Sequence, residues 1–266
     1  MTAKQKMKVV ILCGGAGARL KEETEFRPKP LVEVGGKPIL WHIMKIYSHY
    51  GFSDFIICLG YKGQMIKTYF LDYLYAHNDF TMNLGGPGRI RFHGRHDEDD
   101  WNITLVDTGP ETQTGGRIKA IEKYIQGDTF FANYGDGVAD MNLNRLLAYH
   151  RKHGKIATVT GVQPRSQFGM IKTNAQGGVV EFREKPTLEG WVNGGFFVFN
   201  RDVFRYLQKD TMLEKEPFSK LAKDEELELY RHEGFWQCLD TFKDLEYLNQ
   251  LWGRGKAPWK VWSHEK

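Results

Sequence analysis

A short apolar stretch that leads into a glycine-rich turn constrains the fold of this chain more than any other feature. Residues 9–12 are all branched or apolar, a pattern typical of a buried strand in a parallel sheet. Gly14, Gly15 and Gly17 follow directly. Glycines in such a run let the backbone turn tightly and bring its bare N–H groups close to a ligand. The stretch therefore predicts a parallel strand that ends in a ligand-binding turn.

Positively charged side chains follow this turn. Arg19 stands at its end, and Pro28 and Pro30 flank Lys29, which restricts the backbone of the lysine and holds its charge in place. Cations that converge on a glycine-rich turn are typical of a site for several phosphates. A turn without a ligand is the alternative. The stretch lacks the Gly-Lys-Ser/Thr of a Walker A loop, and Leu20 stands where a dinucleotide-binding G-x-G-x-x-G has its third glycine.

The composition is that of an ordinary globular protein, with 41% hydrophobic and 26% charged residues among 266. The net charge of +4 is small and the basic residues are scattered, which argues against nucleic-acid binding and suits small anionic substrates. Cys13, Cys58 and Cys238 lie far apart and form no C-x-x-C pair, so we expect free thiols in a reducing cytosol. The first apolar run is too short for a signal peptide or a membrane span. We therefore expect a cytoplasmic protein without a membrane partner.

Helix and strand patterns alternate in the first part of the chain. The apolar spacing predicts a helix from residue 37 to about 50, a buried strand over 54–59 and a second helix over 64–75. This β-α-β-α order predicts an α/β fold with a mainly parallel sheet and right-handed crossovers. Further strands are expected over 103–107, 128–133 and 155–162, and further helices up to about 125 and over 143–153.

The pattern changes near residue 162. Residues 169–173 and 179–183 predict a hairpin across a glycine-containing turn. The second half therefore contains a smaller, β-rich part. Its remaining predicted elements are a strand over 196–200, helices near 202–209 and 217–224, late strands over 227–232 and 235–239, and a last helix over 244–252.

Residues 77–100 interrupt the alternation. They contain a glycine- and proline-rich turn followed by aromatic and basic residues, which fits either a hairpin arm that contacts another subunit or a plain surface loop. The run H-D-E-D-D at 96–100 fits a solvated acidic loop better than a metal site, because nothing fixes its geometry.

Polar residues stand where predicted strands end. Asp136 lies between two glycines after one strand, and Asp240 comes directly after a late strand. Open α/β sheets bind ligands at the carboxyl ends of their strands, although Asp136 also fits a simple turn. Thr114 stands next to two glycines at a predicted helix start, where it either caps the helix or reaches a ligand. Two carboxylates without histidine or cysteine favour Mg²⁺ over zinc.

The chain resembles the sugar-phosphate nucleotidyltransferases, the family of nucleotide-sugar pyrophosphorylases. G-G-x-G-x-R in the first turn carries the likeness, together with R-P-K-P at 27–30, where the family usually has lysine first and a threonine in place of Ala18. Arg27 keeps the charge but changes its shape. Further matching motifs are G-G-K-P-I-L-W-H at 35–42, D-F-I-I at 54–57, V-D-T-G at 106–109, Y-G-D-G-V-A-D at 134–140, N-G-G-F-F at 193–197 and G-K-A-P-W-K at 255–260.

This resemblance implies a Rossmann-like three-layer fold in one domain, residues 1–266, with a nucleotide-binding half over about 1–162 and a sugar-binding half over about 163–266. It implies transfer of the cytidylyl group of CTP to glucose 1-phosphate, assisted by Mg²⁺. The implied metal ligands are Asp136 and Asp240, and the implied catalytic residues are Arg19, Lys29, Asp136 and Lys185. The implied nucleotide-binding residues are Leu12, Gly14, Gly15, Ala16, Gly17, Ala18, Arg19, Lys29, Thr114, Gly115 and Tyr134; the implied sugar-phosphate-binding residues are Glu184, Lys185, Asn193 and Gly194.

Alternatives remain at this point. The same reaction with UTP or dTTP is one, because base choice depends on a few hydrogen bonds that residue types do not fix. A catalytically silent nucleotide-sugar-binding subunit of the same fold is another. A dinucleotide-dependent oxidoreductase is more remote, since it would need the missing third glycine. The resemblance further implies a homo-oligomer and a CDP-glucose product used for the O-antigen of lipopolysaccharide.

Overall fold

The computed structural model describes residues 7–85, 90–94, 98–164, 166 and 168–262. Its strands are β1 (Lys8–Cys13), β2 (Glu33–Val34), β3 (Lys37–Pro38), β4 (Asp54–Leu59), β5 (Asp79–Met82), β6 (Ile90–His93), β7 (Asn102–Asp107), β8 (Thr129–Tyr134), β9 (Gly137–Ala139), β10 (Ala157–Val162), β11 (Met170–Thr173), β12 (Val179–Arg183), β13 (Val192–Asn193), β14 (Phe197–Asn200), β15 (Leu227–Arg231) and β16 (Trp236–Cys238). Its α-helices are α1 (Lys21–Thr24), α2 (Ile39–His49), α3 (Gly63–Leu71), α4 (Tyr73–His77), α5 (Thr114–Ala120), α6 (Leu143–His153), α7 (Glu216–Lys223) and α8 (Phe242–Gly253). Short 3₁₀ helices cover Lys29–Leu31, Glu122–Tyr124 and Arg201–Tyr206.

The central sheet is mixed and mainly parallel, which confirms the predicted fold class. Its strands lie in the order β13-β10-β14-β8-β1-β4-β7, and β15 pairs with β10. β1 pairs in parallel with β4 and β8, β4 with β7, and β10 with β15. β14 is antiparallel to both β8 and β10. A strand from the second half of the sequence therefore joins strands from the first half.

Helices cover both faces of this sheet. The side chains of β1 show this, because they alternate between two buried clusters. Val9 and Ile11 pack into the cluster that includes α2 and α8. Val10 and Leu12 pack into the cluster on the opposite face, with residues of α5 and α7. This alternation makes the run of residues 9–12 apolar throughout and produces three layers.

Several predicted element bounds need correction. The predicted helix over 64–75 is two helices, α3 and α4, which separate at Asp72, where ψ is −1°. The helix predicted near 202–209 is the 3₁₀ helix Arg201–Tyr206. The helix over 143–153 is confirmed at both ends. The Asn142 side chain accepts from the backbone N–H of Arg145, and Gly154 ends the helix at a φ of 71°.

Both expected hairpins occur in the described residues. β5 pairs antiparallel with β6, and β11 pairs antiparallel with β12, whose residues are all exposed. Of the acidic run at 96–100, residues 96 and 97 lie outside the described residues. For Glu98 the predicted solvation is wrong, because its side chain is 8% exposed and accepts a 2.9 Å hydrogen bond from Trp41 Nε1.

A buried histidine in α2 makes the stability of this fold depend on pH. His42 Nε2 lies 2.8 Å from the carbonyl oxygen of Val34, and Trp259 Nε1–H donates to His42 Nδ1 over 3.3 Å. Burial lowers the pKa of His42 from 6.5 to about 4. A second proton would face the Trp259 donor, so this site holds the neutral ring.

We expect the His42 contribution to the free energy of unfolding to fall as the pH drops from 6.5 toward 4. The unfolded chain binds the proton in that window and the folded chain does not, so stability rises with pH. The full loss is about 3 kcal/mol. Urea unfolding at several pH values should show a flatter dependence for His42→Gln than for wild type. His49→Gln, on the exposed end of α2, is the control and should keep the wild-type slope. Equal slopes for wild type and His42→Gln would contradict the assignment.

Candidate active site

A cavity of about 510 Å³ opens at the carboxyl ends of β1 and β8. It lies where parallel α/β sheets hold their ligands. Most of the predicted nucleotide-binding residues meet here. The cavity is lined by Leu12, Cys13, Gly14, Gly15, Ala16, Gly17, Ala18, Arg19, Lys29, Pro30, Tyr61, Pro110, Glu111, Thr112, Gln113, Thr114, Arg117, Tyr134, Gly135, Asp136 and Asp240.

The glycine-rich turn forms one wall of the cavity. Gly17 has a φ of +64°, which favours glycine, and its carbonyl oxygen accepts from the Leu20 N–H over 3.0 Å. A Cβ on Gly14 would lie 2.0 Å from the guanidinium carbon of Arg117. A Cβ on Gly15 would have no described neighbour within 4 Å, so the backbone there faces open space in the cavity. The turn is therefore fixed on its inner side and accessible on its outer side.

Arg117 holds the turn in place, a role that the sequence patterns did not predict. Its guanidinium is buried and donates to the carbonyl oxygens of Leu59, Gly14, Gly109 and Pro110 and to Thr108 Oγ1, over 2.7–3.1 Å. These bonds join the glycine-rich turn to the loop after β7. Both segments line the cavity, so Arg117 sets its width. The sequence shows only an arginine after two glycines, and two of its five acceptors, the carbonyl oxygens of Leu59 and Gly14, come from distant segments.

Asp136 and Asp240 come together because β9 pairs with β16. Gly137 lies opposite Cys238 in this ladder, and the N–H of Leu239 donates to the Asp136 carbonyl oxygen over 2.8 Å. Asp240 directly precedes Thr241, the N-cap residue of α8, and its N–H donates to Asp244 Oδ2 in the capping box of that helix. Two residues that are far apart in sequence thus have fixed backbone positions side by side.

Lys29 lies between these two carboxylates. Its Nζ is 2.6 Å from Asp136 Oδ2 and 2.6 Å from Asp240 Oδ1. Arg19 Nη2 lies 3.0 Å from the same Asp240 oxygen, although the Arg19 side chain is 75% exposed. Two cations and two anions therefore balance at the mouth of the cavity, next to the glycine-rich turn.

Burial and neighbouring charges shift the pKa values of Lys29 and Asp240 in opposite directions. Burial disfavours the charged form of Lys29, but Asp136 and Asp240 outweigh it and raise the lysine pKa above its ordinary value. Partial burial would raise the pKa of Asp240, but the hydrogen bond and charge of Lys29 lower it overall. The lysine and Asp240 are thus held in their charged forms at neutral pH.

Asp136 and Asp240 fit a divalent cation of the Mg²⁺ type. One oxygen from each already lies 2.6 Å from a single nitrogen, so the two converge on one cationic point. Cys238 Sγ is 3.4 Å from Asp240 Oδ2, and burial raises the pKa of this thiol. No cluster of three or more His, Cys, Asp or Glu side chains that could hold a metal occurs among the described residues. Mg²⁺ commonly takes its other ligands from water and phosphate.

Tyr134 and Thr114 form another part of the cavity wall. Thr114 does not cap α5, because the N-cap residue of that helix is Gln113. The Thr114 hydroxyl donates to Glu214 Oε2 over 2.7 Å and accepts from the Leu213 N–H. Tyr134 donates to Glu214 Oε1 over 2.5 Å, and burial, with the Glu214 charge, raises its pKa.

Gly115, behind this wall, allows the loop before α7 to approach the backbone of α5 closely. Gly115 is buried and does not line the cavity; a Cβ there would lie 2.8 Å from the carbonyl oxygen of Thr211. Gly115 therefore contacts the loop before α7, and its predicted role toward the nucleotide stays a prediction.

The predicted sugar-phosphate residues divide into two groups. Asn193 does not line the cavity but contacts a residue that does, because its Nδ2 donates to the Tyr134 hydroxyl over 2.8 Å. Gly194 follows Asn193, and its carbonyl oxygen accepts from Trp236 Nε1. Glu184 and Lys185 lie after the exposed hairpin β11–β12, outside the cavity lining. Their side chains are 64% and 62% exposed, with Lys185 Nζ 3.8 Å from Glu184 Oε1. Lys185 also has a φ of 45°, unusual for a residue with a side chain.

Known proteins are similar to this chain in sequence and in fold. The family model described as nucleotidyl transferase matches residues 8–251, which include Lys29, Asp136 and Asp240. A protein of Bacillus subtilis (strain 168) described as probable glucose-1-phosphate cytidylyltransferase is 50% identical over 258 residues, 96% of this chain and 100% of that protein. The glucose-1-phosphate cytidylyltransferase of Salmonella typhimurium is 49% identical over 259 residues, again 96% and 100%. The solved structure of a putative glucose-1-phosphate thymidylyltransferase from Bacillus anthracis has a TM-score of 0.68 at 17% identity and covers 98% of each chain, a likeness of fold.

Proposed function

The chain belongs to the nucleotidyl transferase family and is an enzyme of that class, and from that premise we propose that it transfers the cytidylyl group of CTP to α-D-glucose 1-phosphate. The products are CDP-glucose and pyrophosphate. Both relatives that match almost the whole chain are described as glucose-1-phosphate cytidylyltransferases, one of them as probable. CTP and glucose 1-phosphate are the substrates that this description implies. The observation that carries the proposal is the pairing of Lys29 with Asp136 and Asp240 beside a glycine-rich turn.

The reaction needs alignment and charge neutralisation more than a protein nucleophile. An oxygen of the sugar phosphate attacks the α-phosphorus of CTP in line with the departing pyrophosphate; one P–O bond forms as the other breaks. A phosphate dianion is a competent nucleophile at neutral pH. What the protein must supply is positive charge and hydrogen-bond donors around the two repelling anions.

The cavity offers these groups on its nucleotide side. Lys29 and Arg19 hold the triphosphate, the arginine in bidentate fashion. The backbone N–H groups of residues 14–18, of which Gly15 faces open space, donate to phosphate or base edge. Leu12, Thr114 and Tyr134 complete this side of the site, and Gly115 lies behind Thr114.

The sugar phosphate occupies the adjacent side. Asn193 and Gly194 contact the hexose, Glu184 accepts from sugar hydroxyls and Lys185 holds the phosphate. Because Glu184 and Lys185 are exposed beside the hairpin, we further propose that this segment moves toward the cavity when the sugar phosphate binds. Residues 1–162 thus act as the nucleotide-binding half of one domain and residues 163–266 as the sugar-binding half.

Asp136 and Asp240 are the residues that would hold Mg²⁺. When bound there, Mg²⁺ supplies positive charge to the phosphate oxygens. The two aspartates hold Lys29 and Arg19 at the same place, so the whole cationic set is positioned by two carboxylates.

None of the helices in the described part of the chain has both the length and the apolar character needed to cross a membrane. We propose that the protein works in the cytoplasm as a homo-oligomer and that its CDP-glucose serves O-antigen synthesis. The exposed hairpin β5–β6, which lies in the 77–100 arm, and the carboxyl-terminal tail are the candidate subunit contacts.

Pyrophosphate release tests the proposed function. The purified protein receives glucose 1-phosphate and Mg²⁺ with CTP, UTP, dTTP, ATP or GTP in separate reactions. We expect release with CTP, and none when the sugar phosphate is omitted. Release with UTP or dTTP instead would overturn the base and keep the reaction class. If none of the five nucleotides gives pyrophosphate release, the proposed activity is overturned in favour of a silent nucleotide-sugar-binding subunit.

A further inference from the structure

Glu214 joins two residues of the cavity wall, Tyr134 and Thr114, although it does not line the cavity itself. It lies in the loop between the 3₁₀ helix Arg201–Tyr206 and α7, where no sequence motif marks it. One carboxylate oxygen accepts from the Tyr134 hydroxyl over 2.5 Å, and the other accepts from the Thr114 hydroxyl over 2.7 Å. A single side chain therefore binds the end of β8 and the start of α5, both of which line the cavity.

The loop that carries Glu214 is itself fixed. The N–H of Gly116 donates to the Thr211 carbonyl oxygen over 3.0 Å, and the N–H of Leu213 donates to the Thr114 hydroxyl over 2.9 Å. Leu213 is fully buried. A Cβ on Gly116 would lie 1.9 Å from the Lys209 carbonyl oxygen, so the loop and α5 are in close backbone contact. The position of the Glu214 carboxylate is thus set by the fold.

An ionised carboxylate accepts hydrogen bonds and cannot donate them. The single hydroxyl proton of Tyr134 must therefore point to Glu214. The Tyr134 oxygen is left as an acceptor, and Asn193 Nδ2 donates to it over 2.8 Å. Asn193 Oδ1 accepts independently from the Gly195 N–H over 3.0 Å, which fixes which end of the amide is oxygen. The bonds run in one direction, from Asn193 through Tyr134 to Glu214.

We propose that Glu214 is a positioning residue for the sugar phosphate: as the terminal acceptor of this chain of hydrogen bonds, it orients the Tyr134 hydroxyl and, through it, the amide of Asn193 toward the hexose. This inference rests on the proposed function, which places the hexose at Asn193. Asn193 is exposed and contacts Tyr134, which lines the cavity, so one N–H of its amide and part of its oxygen stay available to a sugar hydroxyl. Glu214 itself does not contact the substrate.

Glu214→Gln tests the inference because it keeps the size and replaces the acceptor-only carboxylate with an uncharged amide that can also donate. We expect the KM for glucose 1-phosphate to rise about tenfold, the effect of one lost hydrogen bond to a charged group. Asn193→Ala should raise the same KM, and the double variant should be no worse than the more damaged single variant. In a Tyr134→Phe background, Glu214→Gln should no longer affect the KM for the sugar. Additive effects of Glu214→Gln and Asn193→Ala with Tyr134 present would overturn the inference.

Two further variants separate positioning from general damage. Glu216→Gln changes an exposed glutamate two residues away that pairs with Lys220, and it should leave both KM values unchanged. Thr114→Val removes the other donor to Glu214 and leaves the bond from Tyr134, so it should spare the KM for the sugar. A rise in that KM equal to the one caused by Glu214→Gln would place the effect in the loop as a whole.

A spectroscopic measurement is independent of turnover. In ¹H–¹⁵N spectra the side-chain amide signals of Asn193 should shift in Glu214→Gln, although the two residues do not touch, and should not shift further when Glu214→Gln is added to Tyr134→Phe. A shift in a protein whose wild type releases no pyrophosphate would reject the proposed function and keep the hydrogen-bond chain. An active wild type whose Asn193 signals ignore Glu214→Gln would reject the positioning role and keep the function.

Discussion

Asp136→Asn should lower kcat by at least about 10²–10³-fold while the protein stays folded. The substitution keeps the size of the side chain and removes one of the two negative charges that converge on Lys29. The charge that would hold Mg²⁺ is then halved, and Lys29 is held by Asp240 without its second partner. Since these interactions act on charge that moves in the transition state, the loss appears in kcat more than in KM.

The fold should tolerate this change. The Asp136 side chain is 28% exposed, its backbone carbonyl still accepts from the Leu239 N–H, and β9 still pairs with β16. We expect the melting temperature to change by no more than a few degrees. Steady-state kinetics with CTP, thermal unfolding, and Mn²⁺ binding by electron paramagnetic resonance in the presence of CTP measure the three effects separately.

Asp128→Asn is the matched control for this prediction. Asp128 is exposed at the opposite end of the same strand, β8, away from the cavity. It should keep wild-type kinetics and Mn²⁺ binding. An Asp136→Asn protein with wild-type kcat in Mg²⁺ would remove Asp136 from the metal and catalytic assignments.

Lys29→Met should lower kcat/KM for CTP by on the order of 10²-fold and also destabilise the free protein. The ammonium group is 11% exposed and bridges two carboxylates, so its loss leaves Asp136 and Asp240 facing each other with the exposed Arg19 as the remaining described cation in contact. We expect a stability loss on the order of 2 kcal/mol, between the values for exposed and buried ion pairs.

Divalent cations should partly reverse this loss of stability. Without Lys29, the convergent oxygens of the two aspartates are free to bind Mg²⁺ or Mn²⁺ directly, and a ligand that binds only the folded state stabilises it. The melting temperature of Lys29→Met should therefore rise more with added Mg²⁺ than that of the wild type. Lys220→Met, which removes an exposed lysine paired with Glu216, serves as the control and should show neither effect. A Lys29→Met protein with an unchanged KM for CTP and no response to Mg²⁺ would contradict both roles of the lysine.

Much of the fold follows from local patterns along the chain. The apolar residues 9–12 and 55–59 could be recognised as buried parallel strands because both faces of the sheet are covered and no alternation is needed. The helix α6 could be predicted to the residue because Asn142 and Gly154 mark its ends. The break at Asp72 and the 3₁₀ geometry of Arg201–Tyr206 could not, since apolar spacing does not distinguish small changes in backbone angle.

The candidate site shows the same division. The sequence by itself determined the strand, the glycine-rich turn and the fixed cation at Lys29, because each depends on neighbouring residues. The tertiary structure decided that Lys29 lies between Asp136 and Asp240, because the pairing of β9 with β16 joins segments far apart in the chain. It also decided the roles of Arg117 and Glu214, whose partners are backbone carbonyls and hydroxyls on distant segments. Nothing in the sequence pairs these uncharged groups with Arg117 or Glu214, so only the folded arrangement of the chain reveals the contacts.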